Sequence, residues 1–205
     1  MKEKTNPAKE ASWFVQRRIS WLCARANYSS GKADLARLRR GIGKAPGSQP
    51  ELWQVILEDL PESLLSSSGE PSCGEWAVHT ALTLYALHQQ GEDAEKHCVS
   101  KEGISLGSAL RKLAPDRDND EAIKRRFDAA ATAGDFVELA HHLRGLIQLM
   151  KAKNIDLDYP ALTRDLYWFQ IMDKKDSVRL KWGQDFYRVE KEEKSDNNVQ
   201  QDAQA

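Results

Sequence analysis

A chain of 205 residues, 40% of them hydrophobic, is long enough to bury a core, which excludes a protein that is disordered throughout. The 30 basic and 31 acidic residues leave a net charge of −1, so affinity for a polyanion would have to come from a local surface. The charged N-terminus lacks the apolar stretch of a signal peptide, and no apolar run approaches the roughly 20 residues of a membrane helix. We therefore expect a cytoplasmic protein without membrane contacts, whose three scattered cysteines are free thiols.

Apolar residues recur at the 3.6-residue helical period along nearly the whole chain. The pattern predicts helices, in chain order, over residues 15–26, 35–42, 53–60, 77–88, 123–131, 136–150, 162–169 and 178–189. Asp135 precedes the most regular of these stripes and is its predicted N-cap. The sequence contains no alternating strand pattern and no Asn-Gly hairpin signal, so the predicted fold class is all-α.

Composition also divides the chain into segments. We expect a flexible N-terminus over 1–11, an N-terminal helical lobe over 12–115, a C-terminal helical bundle over 116–190 and a disordered polar tail over 191–205. Clusters of Ser, Gly and Pro predict loops over 44–50 and 65–73, and the polar segment 90–103 is expected to be mobile.

The charge is distributed unevenly along the chain. Residues 17–44 contain eight Lys or Arg and a single acid, Asp34, which gives this window a net charge of +7. Residues 45–95 contain nine acids and no Lys or Arg. Such a contrast on a nearly neutral chain predicts one surface adapted to polyanions, while the remaining surface keeps the protein soluble.

Several basic residues form clusters along the chain, some of them on predicted helices, and are candidates for binding nucleic acid. Guanidinium groups suit this role because their planar fork can donate two hydrogen bonds to a phosphate. These candidates are Arg37, Arg39, Arg40, Lys44, Arg111, Arg125, Arg126, Arg144, Lys174 and Lys175. The alternative is that the same side chains lie on solvated helix faces and form ion pairs within their helices. Acids are missing beside Arg39 and Arg40, which favours the binding interpretation there.

The aromatic residues do not indicate base recognition. Trp53, Trp168 and Trp182 fit buried helical positions, and burial in the core or in an interface is expected for the aromatic residues of the basic window and its flank, Trp13, Trp21 and Tyr28. A platform for stacking bases would require exposed aromatic rings interleaved with cations. The sequence therefore predicts binding to the nucleic-acid backbone without sequence preference.

Motifs for catalysis, metal binding or nucleotide binding are incomplete. The Gly41–Lys44 run lacks the first glycine and the Ser or Thr of a phosphate-binding loop, and a helix C-terminus explains its glycines better. The acidic run 116–120 resembles the start of a calcium loop, but Glu121 replaces the required glycine. No HExxH, CxxC or GxSxG motif is present. We expect no enzymatic activity, no metal and no cofactor.

Several strings, taken together and in order, resemble a known family. They are ADLARLRRG at 33–41, TLYALHQ at 83–89, GISLGSAL at 103–110, RRF at 125–127, HLR at 142–144, LDY at 157–159, DL at 165–166 and WGQDFY at 182–187. Their number and order resemble the CasB family, the small subunit of the type I-E CRISPR surveillance complex Cascade. The resemblance extends over residues 12–189, most of the chain.

This resemblance implies an all-helical, non-catalytic subunit made of two small bundles packed into one elongated body. It implies as partners the CRISPR RNA, the target and displaced strands of target DNA, the backbone and large subunits of Cascade, and a second copy of the chain. The implied role is to stabilise the R-loop in antiviral defence. Arg39 and Arg40 match a basic pair of the family. Other basic positions of the family are matched by Arg125, Arg126, Arg144 and the 174–175 region. Some relatives carry Arg where this chain has Ser108, and Lys101 or Arg111 is the expected substitute.

Three other functions remain open at this point. A pure scaffold would bind only partner proteins through its helical faces. A nuclease would use the acids of the 116–120 run, Asp116, Asp118 and Asp120. A helix-turn-helix repressor would bind duplex DNA tightly and with sequence selectivity.

Overall fold

The computed structural model describes residues 6–114 and 121–188, and the helical prediction is confirmed there. The α-helices in these ranges are α1 Pro7–Ala24, α2 Ser29–Arg40, α3 Trp53–Ile56, α4 Cys73–His88, α5 Leu106–Leu113, α6 Glu121–Thr132, α7 Phe136–Ala152, α8 Tyr159–Phe169 and α9 Met172–Tyr187. Two short 3₁₀ turns, Pro50–Leu52 and Glu62–Leu64, lie between α2 and α4. Within the described ranges the extended pairing is limited to one isolated bridge, so the fold is all-α.

Side chains at the helix N-termini explain where several helices begin. Asn6 accepts a hydrogen bond from the Ala8 amide at the start of α1. Ser72 and Glu75 form a reciprocal capping box on α4. The predicted N-cap Asp135 accepts from the Glu138 amide at 2.8 Å and is confirmed. Such caps satisfy amides that have no partner inside the helix and typically stabilise it by about 1 kcal/mol.

The helix α4 is the centre of the fold. Residues 77–86 of α4 are buried on every side, as expected for a helix that is apolar all round. The helices α1, α2, α7 and α8 pack against it, α8 also lies along α1, and α9 packs against α5 and α8. The core is continuous, because helices from both predicted segments, 12–115 and 116–190, contribute to it. The predicted boundary itself falls at residues 115–120, outside the described residues, as does the predicted tail 191–205.

The segment 90–103 differs from the mobile loop that its polarity predicted. The Leu157 amide donates to the Val99 carbonyl at 3.0 Å, and the Lys101 amide donates to the Leu157 carbonyl at 3.2 Å. The side chain of Gln89 bonds the His97 carbonyl and the Val99 amide. Val99 is buried and anchors the segment. The polar composition of the segment does not indicate that Val99 is buried or that the backbone bridges to Leu157.

Other differences concern helix ends. Residues 7–11, expected to be flexible, belong to α1, where Ala8 and Ala11 are fully buried. The helix predicted over 53–60 ends at Ile56, and Asp59 adopts a left-handed φ of 59°, which a continuing helix does not allow. The helix predicted over 35–42 ends at Arg40, and Gly43 is the glycine with a left-handed φ, of 74°.

The helix α5 was not predicted, although its sequence carries the necessary signals. Ser105 caps it, and Leu106, Ala109, Leu110 and Leu113 form one buried face. Its Gly107 lies so close to α9 that a Cβ there would overlap the carbonyl oxygen of Trp182. Of the helices within the described residues, none is both long enough and apolar enough to cross a bilayer.

Candidate nucleic-acid interface

The C-terminal end of α2 presents three of the predicted cations. Leu35 and Leu38 are buried on the inner face of α2, which leaves Arg40 exposed; Lys44 follows exposed in the next turn. Arg39 is partly covered and donates to the carbonyl of Ala86 at 3.5 Å, at the end of α4. This burial, together with the charge of Arg40, lowers the pKa of Arg39 from its ordinary value.

These three cations lack carboxylate partners. Within residues 6–114 and 121–188, no Asp or Glu oxygen lies within 4.0 Å of the charged nitrogens of Arg39, Arg40 or Lys44. An unpaired cation at a surface is available to a phosphate, because no existing ion pair has to be broken first.

Arg37 is different, although it lies on the same helix. It pairs with Asp34 at 2.8 Å, while Arg25 approaches the other carboxylate oxygen of Asp34 at 4.0 Å. Asp34 is buried, so its charge needs these partners. The one acid of the basic window therefore offsets the charge of Arg37. For this residue the structure agrees with the alternative interpretation, an ion pair within the helix.

Two further candidates contact carbonyl groups of the protein. Lys175 donates to the carbonyls of Ala133 and Gly134, both at 2.9 Å, at the C-terminal end of α6. Arg111 donates to the carbonyl of Ala114 after the end of its own helix. Cations at helix C-termini complement the negative end of the helix dipole, so these contacts have a structural role.

The remaining candidates are exposed on four different elements. Arg125 pairs with Glu121 at 3.6 Å on the surface of α6. Arg126 reaches α7, where its Nη1 lies 3.7 Å from the position that a Cβ on Gly145 would occupy. Arg144 on α7, Lys174 on α9 and Lys101 in the bridged segment 90–103 are exposed. The helix α2 packs on α1 and α4, whereas α6 packs on α5 and α7. The candidates on α2 therefore form one group, and those on α6 and α7 form a second.

A groove lies beside Arg39, between α2 and the segment that follows α4. It has a volume of about 380 Å³ and is lined in part by Lys32, Arg39 and Gln90. The Nζ of Lys151, at the end of α7, donates to the Oε1 of Gln90 at 3.3 Å. Arg144 lies seven residues, or about two turns, before Lys151 on the same face of α7. Lys151 thus contacts the wall of the groove beside Arg39 and shares a helix face with Arg144.

Lys32 and Lys151 were not among the predicted site residues. The signals were present, because Lys32 belongs to the basic window and Lys151 shares a helix face with Arg144. Two acids, Glu92 and Asp93, also line the groove, but Glu92 lies 3.5 Å from a His97 nitrogen and Asp93 pairs with Lys96 at 3.2 Å.

Three of the aromatic side chains are exposed on the chain, so the core position predicted for Trp53 is wrong and the core does not bury Trp13 or Tyr28. Trp13 is 53% exposed, Tyr28 is 66% exposed and Trp53 is 49% exposed. Trp13 lies on the outer face of α1 beneath the ammonium group of Lys9, and the Trp53 indole donates to the Gly47 carbonyl. Exposed aromatic rings therefore do lie next to cations in sequence.

Two of the other predicted tryptophan positions are buried or covered. Trp182 is fully buried in the core, and Trp21 is covered by the guanidinium of Arg25, 4.5 Å from its ring centroid. Trp168 is partly buried against the core.

The side chains of the described residues offer no grouping of three or more His, Cys, Asp or Glu that could hold a metal ion. The acids of the nuclease alternative, Asp116, Asp118 and Asp120, lie outside the described residues.

Comparison with known proteins identifies the family. The model of the CRISPR-associated protein Cse2 family matches residues 34–187, about three quarters of the chain. The crystal structure of CasB from Thermobifida fusca is 32% identical and covers 87% of this chain and 98% of its own, with a TM-score of 0.73. M. ruber CasB is 25% identical over 83% of this chain and 92% of its own, with a TM-score of 0.60.

A third structure, a Cse2-family CRISPR-associated protein from Thermus thermophilus, shares the fold at 22% identity, with a TM-score of 0.61 over 84% of this chain and 97% of its own. A comparison with curated proteins gave no match. The family model and the T. fusca protein indicate the same family as the strings found in the sequence. The chain belongs to the Cse2 (CasB) family of CRISPR-associated proteins.

Proposed function

We propose that this chain is a non-catalytic subunit of a type I-E Cascade complex that binds the nucleic-acid backbone and stabilises the R-loop in antiviral defence. Its proposed nucleic-acid ligands are the guide-paired target strand and the displaced strand. Its proposed protein partners are the backbone and large subunits and a second copy of itself. Family membership supports a role in a CRISPR complex.

The observation that carries the proposal is the set of cations without carboxylate partners at the end of α2. Arg39, Arg40 and Lys44 have no acid within 4.0 Å among the described residues, whereas Arg37 on the same helix is paired. A solvated helix face without a binding role would more commonly balance such charges within the helix. Unbalanced cations are consistent with an external anion.

The physical requirements of an R-loop agree with this arrangement. Exchanging a DNA duplex for a guide–target duplex is nearly balanced in free energy, so modest contacts with the strand backbones can tip it. A subunit that serves every guide must bind without reading bases, and Lys and Arg contacts to phosphate meet this requirement. Lys32 and Lys151 are proposed to extend the contact from α2 toward Arg144 and Arg126.

The test uses the assembled complex with this chain as the only altered subunit. Arg39→Glu combined with Arg40→Glu should shorten the R-loop lifetime at moderate salt while assembly, followed by size-exclusion chromatography, stays intact. The matched control is Lys112→Glu with Arg164→Glu, which reverses two exposed charges outside the proposed interface. Equal R-loop lifetimes for the two double variants would reject the proposal.

A pure scaffold is the second candidate, and exposed apolar side chains favour it. Met172 is 89% exposed and Leu180 is 62% exposed, both on α9, and a partner subunit could cover them. In this case the Arg39 and Arg40 changes would impair assembly and leave the R-loop lifetime of the assembled fraction unchanged. Leu180→Asp would then impair assembly more strongly than either charge reversal.

A further inference from the structure

Two cysteines that are distant in sequence meet in the fold. The sulfur of Cys23 on α1 lies 3.3 Å from the sulfur of Cys98, which belongs to the bridged segment 90–103. The hydroxyl of Tyr85 lies 3.2 Å from the Cys23 sulfur and 3.7 Å from that of Cys98. Both thiols are free, as the sequence predicted. We propose that Cys23 and Cys98 are a dithiol modification site that closes to a disulfide when the protein meets a peroxide.

The geometry places the two sulfurs close to bonding distance. A disulfide bond measures about 2.05 Å, so the sulfurs need to approach by only about 1.2 Å from their present separation. Cys98 belongs to a segment without helical structure, held by backbone bonds at Val99 and Lys101.

Both sulfurs are also accessible to a small oxidant. Cys23 and Cys98 are only partly buried. Together with Ser100 and Gly103 they line an open groove of about 720 Å³ between α1 and the start of α8. A peroxide or a small thiol reductant can therefore reach the pair without unfolding of the chain.

The surroundings assign different roles to the two thiols. The Cys23 thiol donates a hydrogen bond to the Cys98 sulfur, and with help from the Ser100 amide, the Tyr85 hydroxyl and the charge of Lys101 this lowers the pKa of Cys98 below its ordinary value. The pKa of Cys23 is raised, chiefly by the same hydrogen bond to Cys98. Cys98 is thus the nucleophilic thiolate, and Cys23 keeps its proton.

The phenols that face the pair stay neutral and do not compete for the oxidant. Burial raises the pKa of Tyr85, and it also raises that of Tyr159, which feels the charge of Cys98. The third cysteine, Cys73, lies at the start of α4, and burial raises the pKa of its thiol. Cys73 therefore serves as an internal comparison for an unactivated thiol.

The proposed reaction has two steps. The Cys98 thiolate attacks one oxygen of hydrogen peroxide, the O–O bond breaks, and Cys98 sulfenic acid and hydroxide form. The Cys23 sulfur then attacks the Cys98 sulfur, loses its proton, and displaces water as the S–S bond forms. The two thiols lose two electrons in total, and one peroxide is reduced. The product joins α1 covalently to the segment that carries Lys101.

The experiment is disulfide mapping of the full chain after treatment with a small excess of hydrogen peroxide. Mass spectrometry without reduction should find Cys23 linked to Cys98 with the loss of two hydrogens, while Cys73 remains a free thiol. Dithiothreitol should reverse the link. Because the link closes a long loop, the oxidised protein should also unfold at a Tm higher by at least about 5 °C.

Three variants make the result specific. Cys73→Ser should form the same link, and Cys98→Ser should leave Cys23 unmodified. Cys23→Ser should accumulate Cys98 sulfenic acid that dimedone can trap. Absence of the 23–98 link in both the native chain and Cys73→Ser, or sulfenic acid that persists on Cys98 while Cys23 is present, would overturn the proposal.

Discussion

Arg37 donates to Asp34 at 2.8 Å, one turn earlier on α2, and Arg25 approaches the other oxygen of the same carboxylate at 4.0 Å, so the single acid of the basic window is engaged by these two arginines. The neighbouring cations Arg39, Arg40 and Lys44 are left unpaired within the described residues. Arg37 is thus a paired structural cation, and the other three are cations without a carboxylate partner. Changes at Arg37 are expected to affect stability, and changes at the other three are expected to affect binding.

The first prediction concerns this pair. Arg37→Gln should lower the free energy of unfolding by about 1 kcal/mol, because the buried carboxylate of Asp34 keeps only the more distant Arg25. Arg40→Gln, on an exposed and unpaired residue, should leave the stability unchanged within about 0.5 kcal/mol. Chemical denaturation of the two variants measures the difference. Equal stabilities would mean that the Asp34 pair contributes nothing to folding.

The second prediction concerns two helical glycines. Gly107→Ala should lower the free energy of unfolding by about 2 kcal/mol, because a methyl group there overlaps the backbone of α9. Gly183→Ala should instead stabilise the protein by up to about 1 kcal/mol, since a Cβ at Gly183 meets no atom within 4 Å and Ala favours the helix. Thermal unfolding measures both, and opposite signs are required.

The third prediction concerns the pH dependence of stability. Burial lowers the pKa of His88 to about 4, and its Nδ1 lies 3.0 Å from the Tyr159 hydroxyl. In the unfolded chain the same imidazole takes up a proton near pH 6.5, so the unfolded state binds more protons as the pH falls below that value. This contribution to stability is complete above pH 6.5 and is lost between pH 6.5 and 4.

The loss attributable to His88 is about 3 kcal/mol over that interval. His88→Gln removes the titrating group and should flatten the stability profile by this amount relative to the native chain, whatever the other groups contribute to both. Denaturation at pH 7, 5.5 and 4.5 is the measurement. Parallel profiles for the two proteins would show that His88 titrates alike in both states.

The fourth prediction concerns the exposed ring of Tyr28. An exposed aromatic ring close in sequence to the cations Arg25 and Lys32 can stack on an unpaired base, which typically contributes about 1–3 kcal/mol. Tyr28→Ala should weaken binding of single-stranded DNA about five-fold or more without changing its salt dependence, because the cations that bind phosphate are all retained. Tyr28→Phe is the control and should bind as the native chain does. An unchanged affinity of Tyr28→Ala would exclude stacking here.

Much of the fold could be predicted from the sequence, because helical periodicity and cap signals are local. Asp135 was identified as an N-cap from its position alone. The predictions failed at two places: the helix predicted over 53–60 ends at Ile56, with Asp59 in a left-handed conformation, and Val99 anchors a segment whose composition is polar. The helix α5 is short, and the need for glycine at Gly107 arises from its contact with α9, which is distant in sequence.

The candidate site was predictable only in part. Charge clustering correctly marked Arg40 and Lys44 as exposed cations, but it does not reveal which cation has an internal partner. Lys175 contacts the carbonyls of Ala133 and Gly134, some 40 residues away, and no spacing in the sequence predicts that contact. The exposure of Tyr28 was likewise not predicted, because Tyr28 lies in the turn between α1 and α2, where no helical period indicates which side of the chain faces the core.

The most direct test of the central claim is the salt dependence of single-stranded DNA binding by the isolated chain. Arg39→Gln with Arg40→Gln should reduce the slope of log affinity against log salt by about 0.7 for each phosphate that the variant no longer neutralises, equally for two unrelated sequences. Lys112→Gln with Arg164→Gln should leave the slope unchanged. An identical slope for both double variants, or an affinity that does not depend on salt, would contradict the claim that the end of α2 binds phosphate.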